Sequence, residues 1–275
     1  MCAEPKDQSI LEPVQVVDNQ QVAPGVWVIV LYAPHVAARV EPGQFVHLRL
    51  MGFEAHILRR PLSVYGADPS TGNIELMYQV VGSGTDWMTG LKQGTNLDVI
   101  GPLGRGWHPP TDVRRVLLVS GGLGAAPLTM LAQQLLSQGA EVESIMGAPT
   151  AERLVCRDRL HAEGTGHLSI ATDDGSEGHG GYCTEILESR LIAMSYGGSH
   201  EEQFDYAAVC GPAPMMRIAC DLIIRFVPDL CCELSLERQM ACGIGACLSC
   251  AVETTSGFRR SCKDGPVFDA REVIW

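Results

Sequence analysis

Four cysteines near the end of this 275-residue chain have the spacing of a ligand set. Cys242, Cys247, Cys250 and Cys262 stand in the strings MACGIGACLSC and RRSCKDG, in the pattern C-x4-C-x2-C-x11-C. Three thiols within nine residues, separated by Gly243, Gly245 and Ala246, require a tight loop with inward-turned backbone N–H groups. Four thiolates with amide donors to bridging sulfides are what a sulfide-bridged iron cluster needs, and C-x4-C-x2-C with a distant fourth cysteine is the plant-type [2Fe–2S] spacing. Structural zinc is the competing chemistry, but it favours two short pairs such as CxxC…CxxC. The other thiols of the 11 have plainer readings. Cys156, Cys183 and Cys220 fall in or beside expected helices and read as small core residues. The neighbours Cys231 and Cys232 would face opposite ways in a strand, and Cys2 reads as a free terminal thiol. Cys210 ends an expected strand just before Gly211-Pro212, where α/β sheets bind ligands. A core thiol and a cofactor contact both suit that position.

Two further patterns suit nucleotide phosphates. Arg60-Pro61-Leu62-Ser63 leads into one strand, and Met77-Tyr78-Gln79 lies along the next. Gly82-Ser83-Gly84-Thr85-Asp86 then opens a short helix, with Thr85 or Asp86 expected as its N-cap. A glycine turn feeding a helix, with an arginine opposite, is the chemistry of a pyrophosphate site; an ordinary hairpin turn is the alternative. The second pattern, Ser120-Gly121-Gly122-Leu123-Gly124-Ala125-Ala126-Pro127, directly follows a strand and directly precedes a helix. It is not GxGxxG, and the acidic ribose partner expected after the second strand is replaced by Met146-Gly147-Ala148-Pro149-Thr150. Cys210-Gly211-Pro212 repeats the strand–turn–helix arrangement later in the chain.

The elements that must position these residues divide into two rhythms. Over the first ~110 residues, β-branched and aromatic runs at 14–17, 27–31, 45–50, 63–65, 74–81 and 96–100 alternate with Pro/Gly/Asp turns. That spacing predicts a small antiparallel barrel or sandwich, closed by a linker at 101–110. From 113 strands and helices alternate: strand 116–120, helix 127–137, strand 142–146, a charged helix around 152–160 and strand 168–172. A helix at 184–191, a polar loop from 196 to 204, strand 206–210 and helix 213–226 complete a parallel, doubly wound sheet. The expected organisation is a barrel at 8–110, an α/β domain at 111–230 and a small cluster domain at 231–275.

Composition excludes several classes. Hydrophobic residues make up 46% of the chain, enough for two cores and unlike a disordered chain. Lys and Arg total 20 against 32 Asp and Glu, net −12, which argues against nucleic-acid or anionic-membrane partners. The N-terminal MCAEPKDQSI lacks the basic and apolar blocks of a signal peptide, so a reducing cytoplasm is expected. The stretch 116–140 carries no charge, but its glycines, Pro127 and three glutamines make it strand, turn and half-polar helix rather than a membrane span.

Taken together, RPLS, GSGT, GPLGRGW, GGLGAAP and CGPAPMM resemble the ferredoxin–NADP reductase superfamily along most of the chain. The string SLERQMACGIGACLSC with SCKDGPVF narrows the resemblance to the FAD- and [2Fe–2S]-containing electron-transfer subunits of NAD-linked (class 1B) dihydroorotate dehydrogenases. The resemblance implies a β-barrel FAD domain, an α/β doubly wound nicotinamide domain and a C-terminal [2Fe–2S] domain. It implies FAD contacts from Arg60, Pro61, Leu62, Ser63, Met77, Tyr78, Gln79, Gly84 and Thr85, and NAD contacts from Gly121, Gly122, Gly124, Cys210, Gly211 and Pro212. The four cysteines of the C-terminal string would ligate the cluster. Thr172-Asp173-Asp174-Gly175-Ser176-Glu177-Gly178 also suits the family's pattern, whereas Ser120 stands where a third glycine is common. The implied partner is an FMN-containing subunit that oxidises dihydroorotate to orotate in pyrimidine biosynthesis, two copies of each subunit forming a heterotetramer. Two other functions share these motifs: a diaphorase-like subunit of another redox complex, and a sensor that binds flavin and cluster without turnover.

Overall fold

Period-two alternation in the first hundred residues closes on itself. In the computed structural model, which describes residues 9–52, 57–160, 167–197 and 203–275, six antiparallel strands form a closed barrel. They are β1 (Ile10–Ala23), β2 (Val26–Tyr32), β3 (Phe45–Arg49), β4 (Arg60–Asp68), β5 (Asn73–Gln79) and β6 (Asn96–Leu103), in the order β1-β2-β5-β4-β3-β6. Short helices α1 (Pro34–Ala37) and α2 (Ser83–Thr89) fill its connections. Ile29, Leu31, Val46, Leu48, Val64, Leu76 and Val99 fill the interior. On β3 the outward residues Phe45 and His47 are as buried as Val46 and Leu48. Something else must therefore cover that outer face, and it is the C-terminal cysteine segment: Phe45 packs with Met240, Cys250 and Cys262.

Beyond the barrel the strands become apolar throughout, as parallel strands covered on both faces must. A seven-stranded sheet runs β10-β9-β8-β7-β11-β12-β15, built from β7 (Arg115–Gly121), β8 (Glu141–Ala148), β9 (Leu168–Thr172), β10 (His179–Gly180), β11 (Tyr206–Cys210), β12 (Cys231–Ser235) and β15 (Val267–Asp269). Helices α3 (Ala126–Ser137) and α4 (Arg157–Leu160) contribute Leu128, Leu131, Leu135 and Leu160 to one face. Helices α5 (Cys183–Gly197) and α6 (Ala213–Phe226) cover the other with Leu187, Leu191, Ala219 and Ile223. The doubly wound expectation holds. The strands β13 (Ala251–Thr254) and β14 (Gly257–Arg260) form a separate hairpin.

Several local expectations change. The charged helix around 152–160 is instead a 3-10 turn at Ala151–Arg153 and the four-residue α4, because Cys156 between them takes a left-handed φ of 66°. β12 pairs in parallel with β11, and β15 adds antiparallel to β12, so the stretch after 230 contributes two strands to the seven-stranded sheet. Cys232 faces one core and Cys231 the other, as strand alternation requires. The uncharged stretch 116–140 divides into strand, turn and helix, and among the described residues no helix is long and apolar enough to cross a membrane. Cys2 and most of the loop 196–204 lie outside the described residues.

The two large units are fastened together by specific contacts. Trp107, from the linker, lies against Gly43, whose φ of 90° leaves no room for a side chain, and its Nε1 donates to the Pro127 carbonyl at 3.2 Å. Thr129 Oγ1 donates to the Tyr65 carbonyl at 2.7 Å, and the Arg159 guanidinium stacks 4.0 Å above the Tyr65 ring while pairing with Glu75.

A titratable network ties the linker to the sheet. The His108 amide donates to Glu233 Oε2 at 2.8 Å, its Nδ1 lies 3.6 Å from Oε1, and the Tyr206 hydroxyl donates to Oε2 at 2.5 Å. Burial alone would raise the Glu233 pKa, but these partners outweigh it and hold the carboxyl below its usual range. The Glu233 carboxylate raises His108, against burial. The Glu233 contribution to stability is lost as pH falls through its lowered pKa, and the His108 contribution as pH rises through its raised one. Glu233→Gln is therefore expected to flatten both limbs of a pH profile of urea midpoints. The His108 limb is worth less than ~1 kcal/mol because that ring is largely exposed.

Candidate functional site

The cysteine segment has almost no regular structure between β12 and β13, and its shape comes from left-handed backbone. Gly243 (φ 73°), Gly245 (φ 83°) and Leu248 (φ 61°) turn the chain three times within six residues. The Cys247 amide donates to Cys242 Sγ at 3.4 Å, and the Ser249 hydroxyl lies 3.2 Å from Cys247 Sγ. Cys250 and Cys262 form a second, buried neighbouring pair, with Cys242 within electrostatic reach of Cys262. Among the described residues no three His, Cys, Asp or Glu side chains converge on one point. Two neighbouring two-thiol pairs are compatible with a binuclear, sulfide-bridged cluster that takes one pair per iron. Hydrogen bonds from the Ser249 hydroxyl and amide, and from Cys242, pull the exposed Cys247 thiol down to about 6. Burial, with the Cys250 thiol beside it, pushes Cys262 up to about 12, a proton that a bound cation would displace.

The loop is anchored from two sides. Arg260 donates to the Gly245 carbonyl at 3.4 Å and is itself held by Asp264 at 2.9 Å, while the Ser261 hydroxyl donates to the Leu236 carbonyl at 2.8 Å. On the barrel side Gly104 packs so tightly on Gly265 that a Cβ would come 2.5 Å from its carbonyl oxygen. His47, which belongs to no motif and reads as an ordinary strand residue, presses its ring on Gly243. Burial lowers His47 to about 4, although the main chain of Cys242 and Arg59 opposes this, and neither ring nitrogen completes a hydrogen bond.

The flavin-type motif assembles at the mouth of the barrel. Arg60 begins β4 and lies across Gly84, where a Cβ would meet its Nη2 at 2.3 Å. Any side chain at position 84 would expel the guanidinium. The N-cap of α2 is Gly82 rather than Thr85 or Asp86, because the helix starts one turn earlier. The Thr85 hydroxyl instead accepts from the Val81 and Gly82 amides at 2.9 and 3.3 Å. Strand parity separates the remaining residues. Leu62 and Tyr78 turn into the barrel, where the Tyr78 hydroxyl donates to Asn19 at 3.1 Å, so only main chain is available at position 78. Pro61 and Ser63 lie on the outer side of β4 with Tyr65, and Met77 and Gln79 on the outer side of β5. There Met77 Sδ lies 3.7 Å from the Cys156 thiol.

The two glycine turns of the α/β sheet meet backbone to backbone. A Cβ on Gly124 would lie 2.4 Å from the Cys210 carbonyl oxygen, and one on Gly121 would strike Met215 and Pro212. Gly211 packs on Gly121 in return. Gly122, with φ 53°, faces open space, where a ligand can approach its main chain. Cys210 is buried and its thiol pKa is raised by burial, with the Glu237 carboxylate a further cause. Glu237 lies exposed two residues past the end of β12. The clue to Glu237 in the sequence was an acid two residues past the end of a parallel strand.

Comparison with known proteins finds a family match for each of three successive stretches of the chain. The iron-sulfur cluster binding domain of dihydroorotate dehydrogenase B matches residues 237–274, the oxidoreductase NAD-binding domain residues 118–221, and the oxidoreductase FAD-binding domain residues 13–107. The chain is 36% identical over 262 residues to the dihydroorotate dehydrogenase B (NAD(+)) electron transfer subunit of Desulforamulus reducens, covering 92% of this chain and 94% of that one. It is 36% identical over 269 residues to the same subunit of Geobacillus kaustophilus, covering 96% and 98%. A solved NADH-dependent reduced ferredoxin-NADP oxidoreductase matches with a TM-score of 0.82 and 31% identity over 95% of this chain and 89% of that one. The ferredoxin reductase of carbazole 1,9a-dioxygenase, at 20% identity and a TM-score of 0.67 over 81% of this chain and 68% of that one, shares the fold.

The backbone contact between the glycine turns has a measurable consequence. Gly124→Ala forces a methyl into the Cys210 carbonyl and is expected to cost about 1–3 kcal/mol, read as a lowered denaturant midpoint. Gly122→Ala meets no steric neighbour, and its cost, about 1 kcal/mol, comes from holding alanine at a left-handed φ of 53°.

Proposed function

Because the chain belongs to the family of electron transfer subunits of NAD(+)-dependent dihydroorotate dehydrogenase B, we propose that its three sites act as one relay between a catalytic partner and NAD+. It carries FAD-binding, NAD-binding and iron–sulfur-binding domains and serves pyrimidine biosynthesis as an oxidoreductase subunit. When bound, the cluster supplies single-electron chemistry, FAD both single and paired electrons, and NAD+ takes up a hydride. The overall conversion is dihydroorotate + NAD+ to orotate + NADH + H+.

The observation that carries this reading is a one-strand separation. Phe45 and His47 of β3 lean on the cysteine segment, and β4, hydrogen-bonded to β3 about 5 Å away, begins with Arg60-Pro61-Leu62-Ser63. In this reading Cys242 and Cys247 hold one iron of a [2Fe–2S] cluster, and Cys250 and Cys262 the other. Arg60 neutralises the FAD pyrophosphate, helped by the close approach that Gly84 and Thr85 permit. Pro61, Ser63, Met77 and Gln79 line the flavin side of the barrel, while Leu62 and Tyr78 contribute main chain. Gly121, Gly122 and Gly124 receive the NAD phosphates, and Gly211 and Pro212 hold Cys210 beside the nicotinamide. No side chain needs to act as an acid or base on the dihydroorotate, which is handled by the partner.

Exposed Ile244 and Leu248 flank the exposed Cys247, and this apolar rim is where an FMN-containing catalytic subunit would seat, two copies of each in the assembly. The cytoplasm suits both the free thiols and the cluster. Two experiments follow. Arg60→Ala is expected to weaken FAD binding by about 2 kcal/mol, roughly thirtyfold in Kd, measured by flavin fluorescence. Co-expression with an FMN-containing partner is expected to yield dihydroorotate-dependent NAD+ reduction, abolished in Cys247→Ser while the flavin spectrum persists. A wild-type chain that co-purifies with no dihydroorotate-oxidising subunit contradicts the reading.

A further inference from the structure

His47 is a polar residue in a place that an apolar one would fill. It lies on the outward side of β3, between Phe45 and Arg49, where an uncovered barrel would leave it in water. The cysteine segment covers it completely, and its exposure is 0%. Among the described residues neither ring nitrogen makes a well-formed hydrogen bond, although main-chain groups of Cys242 and Arg59 lie close to the ring. A buried imidazole with incomplete hydrogen bonds opposes folding, so a ring held beside the Cys242 main chain points to a polar group that it serves.

The neighbour it faces is the cluster loop. A Cβ on Gly243 would lie 2.3 Å from His47 Nδ1, 3.0 Å from Cγ and 3.1 Å from Cε1, so the ring rests directly on the loop backbone. Gly243 follows Cys242, and Cys242 Sγ receives the Cys247 amide at 3.4 Å. Displacing Gly243 therefore displaces Cys242 relative to Cys247. On its other side His47 sits opposite Pro61 of β4 and Ile100 of β6, one residue from the partners of Arg60 and Leu62. It is thus backed by the flavin-binding strand and faces the cysteine loop.

We propose that His47 is a positioning residue through which the barrel sets the conformation of the Cys242–Gly243 main chain, and with it the reduction potential of the iron–sulfur cluster. The potential of such a cluster depends on hydrogen bonds to its surroundings and on solvent exposure, and a neutral imidazole offers one donor and one acceptor for the former. The role involves no proton uptake. It rests on the reading that the four cysteines hold a [2Fe–2S] cluster.

The test uses the full chain with its FAD and reconstituted cluster, in wild-type form and as His47→Leu and His47→Asn. Leucine keeps the bulk and removes the polar atoms, whereas asparagine places an amide nitrogen near the position of Nδ1. The cluster midpoint potential and g values are read by redox titration with EPR detection, and the flavin potential by absorbance. The expected result is a shifted cluster potential and altered g values in His47→Leu, values nearer wild type in His47→Asn, and an unchanged flavin potential in both. A leucine variant superimposable on wild type overturns the proposal. So do leucine and asparagine variants that change equally, including equal loss of the cluster, because any replacement would then have the same effect. A wild-type chain without a [2Fe–2S] signal overturns the cluster reading itself, an outcome distinguishable from the other two.

Discussion

The outer face of a single strand carries much of the architecture. In β3, Val46 and Leu48 fill the barrel, which leaves Phe45 and His47 pointing away from it. An exposed Phe beside a histidine would be an ordinary barrel surface, but here the cysteine segment lies over both. That contact costs the loop its freedom: Gly243 must be glycine, both for its positive φ and because no Cβ fits beneath the ring. In return the segment, which lacks helix or sheet between β12 and β13, acquires a rigid floor. Because β4 is the hydrogen-bonded neighbour of β3, the same floor carries the residues that open the flavin motif.

A second constraint fixes the nucleotide sheet against the barrel. Trp107 under Gly43 and on Pro127, Thr129 on the Tyr65 carbonyl, and Arg159 over the Tyr65 ring all join the same pair of surfaces. Cys156 takes a left-handed conformation where it reaches Met77, so the break in the helix expected around 152–160 sits at an interdomain contact. Short-range redox chemistry demands fixed spacing between its sites, and these contacts supply it by packing and hydrogen bonding rather than by a single continuous sheet. β12 and β15 complete the arrangement by drawing the C-terminal segment into the nucleotide sheet before and after the cysteine loop.

What was legible in the sequence was what local spacing determines. The cysteine pattern, the glycine turns at Gly121–Gly124 and Gly211, and Arg60 at the start of its strand all encode geometry within a few residues, so they could be read without knowledge of distant partners. The barrel and doubly wound sheet followed from the change of hydrophobic period. What escaped depended on distant partners. His47 looked like a residue on the solvent side of an alternating strand until another segment covered it. Tyr78 belongs to the flavin motif, but strand parity and Asn19 draw its side chain into the barrel. Helix propensity at 152–160 was overridden by tertiary contact, and Cys231–Ser235 became a strand because β11 offered it an edge.

The central claim is that one chain joins single-electron and paired-electron chemistry through contiguous sites. An anaerobic titration of the purified chain with NADH, followed by absorbance and by EPR on the same samples, tests it most directly. The account predicts bleaching of the flavin together with the appearance of a reduced [2Fe–2S] signal. A flavin that bleaches while the cluster stays oxidised at every NADH concentration, with dithionite still able to reduce it, would contradict it.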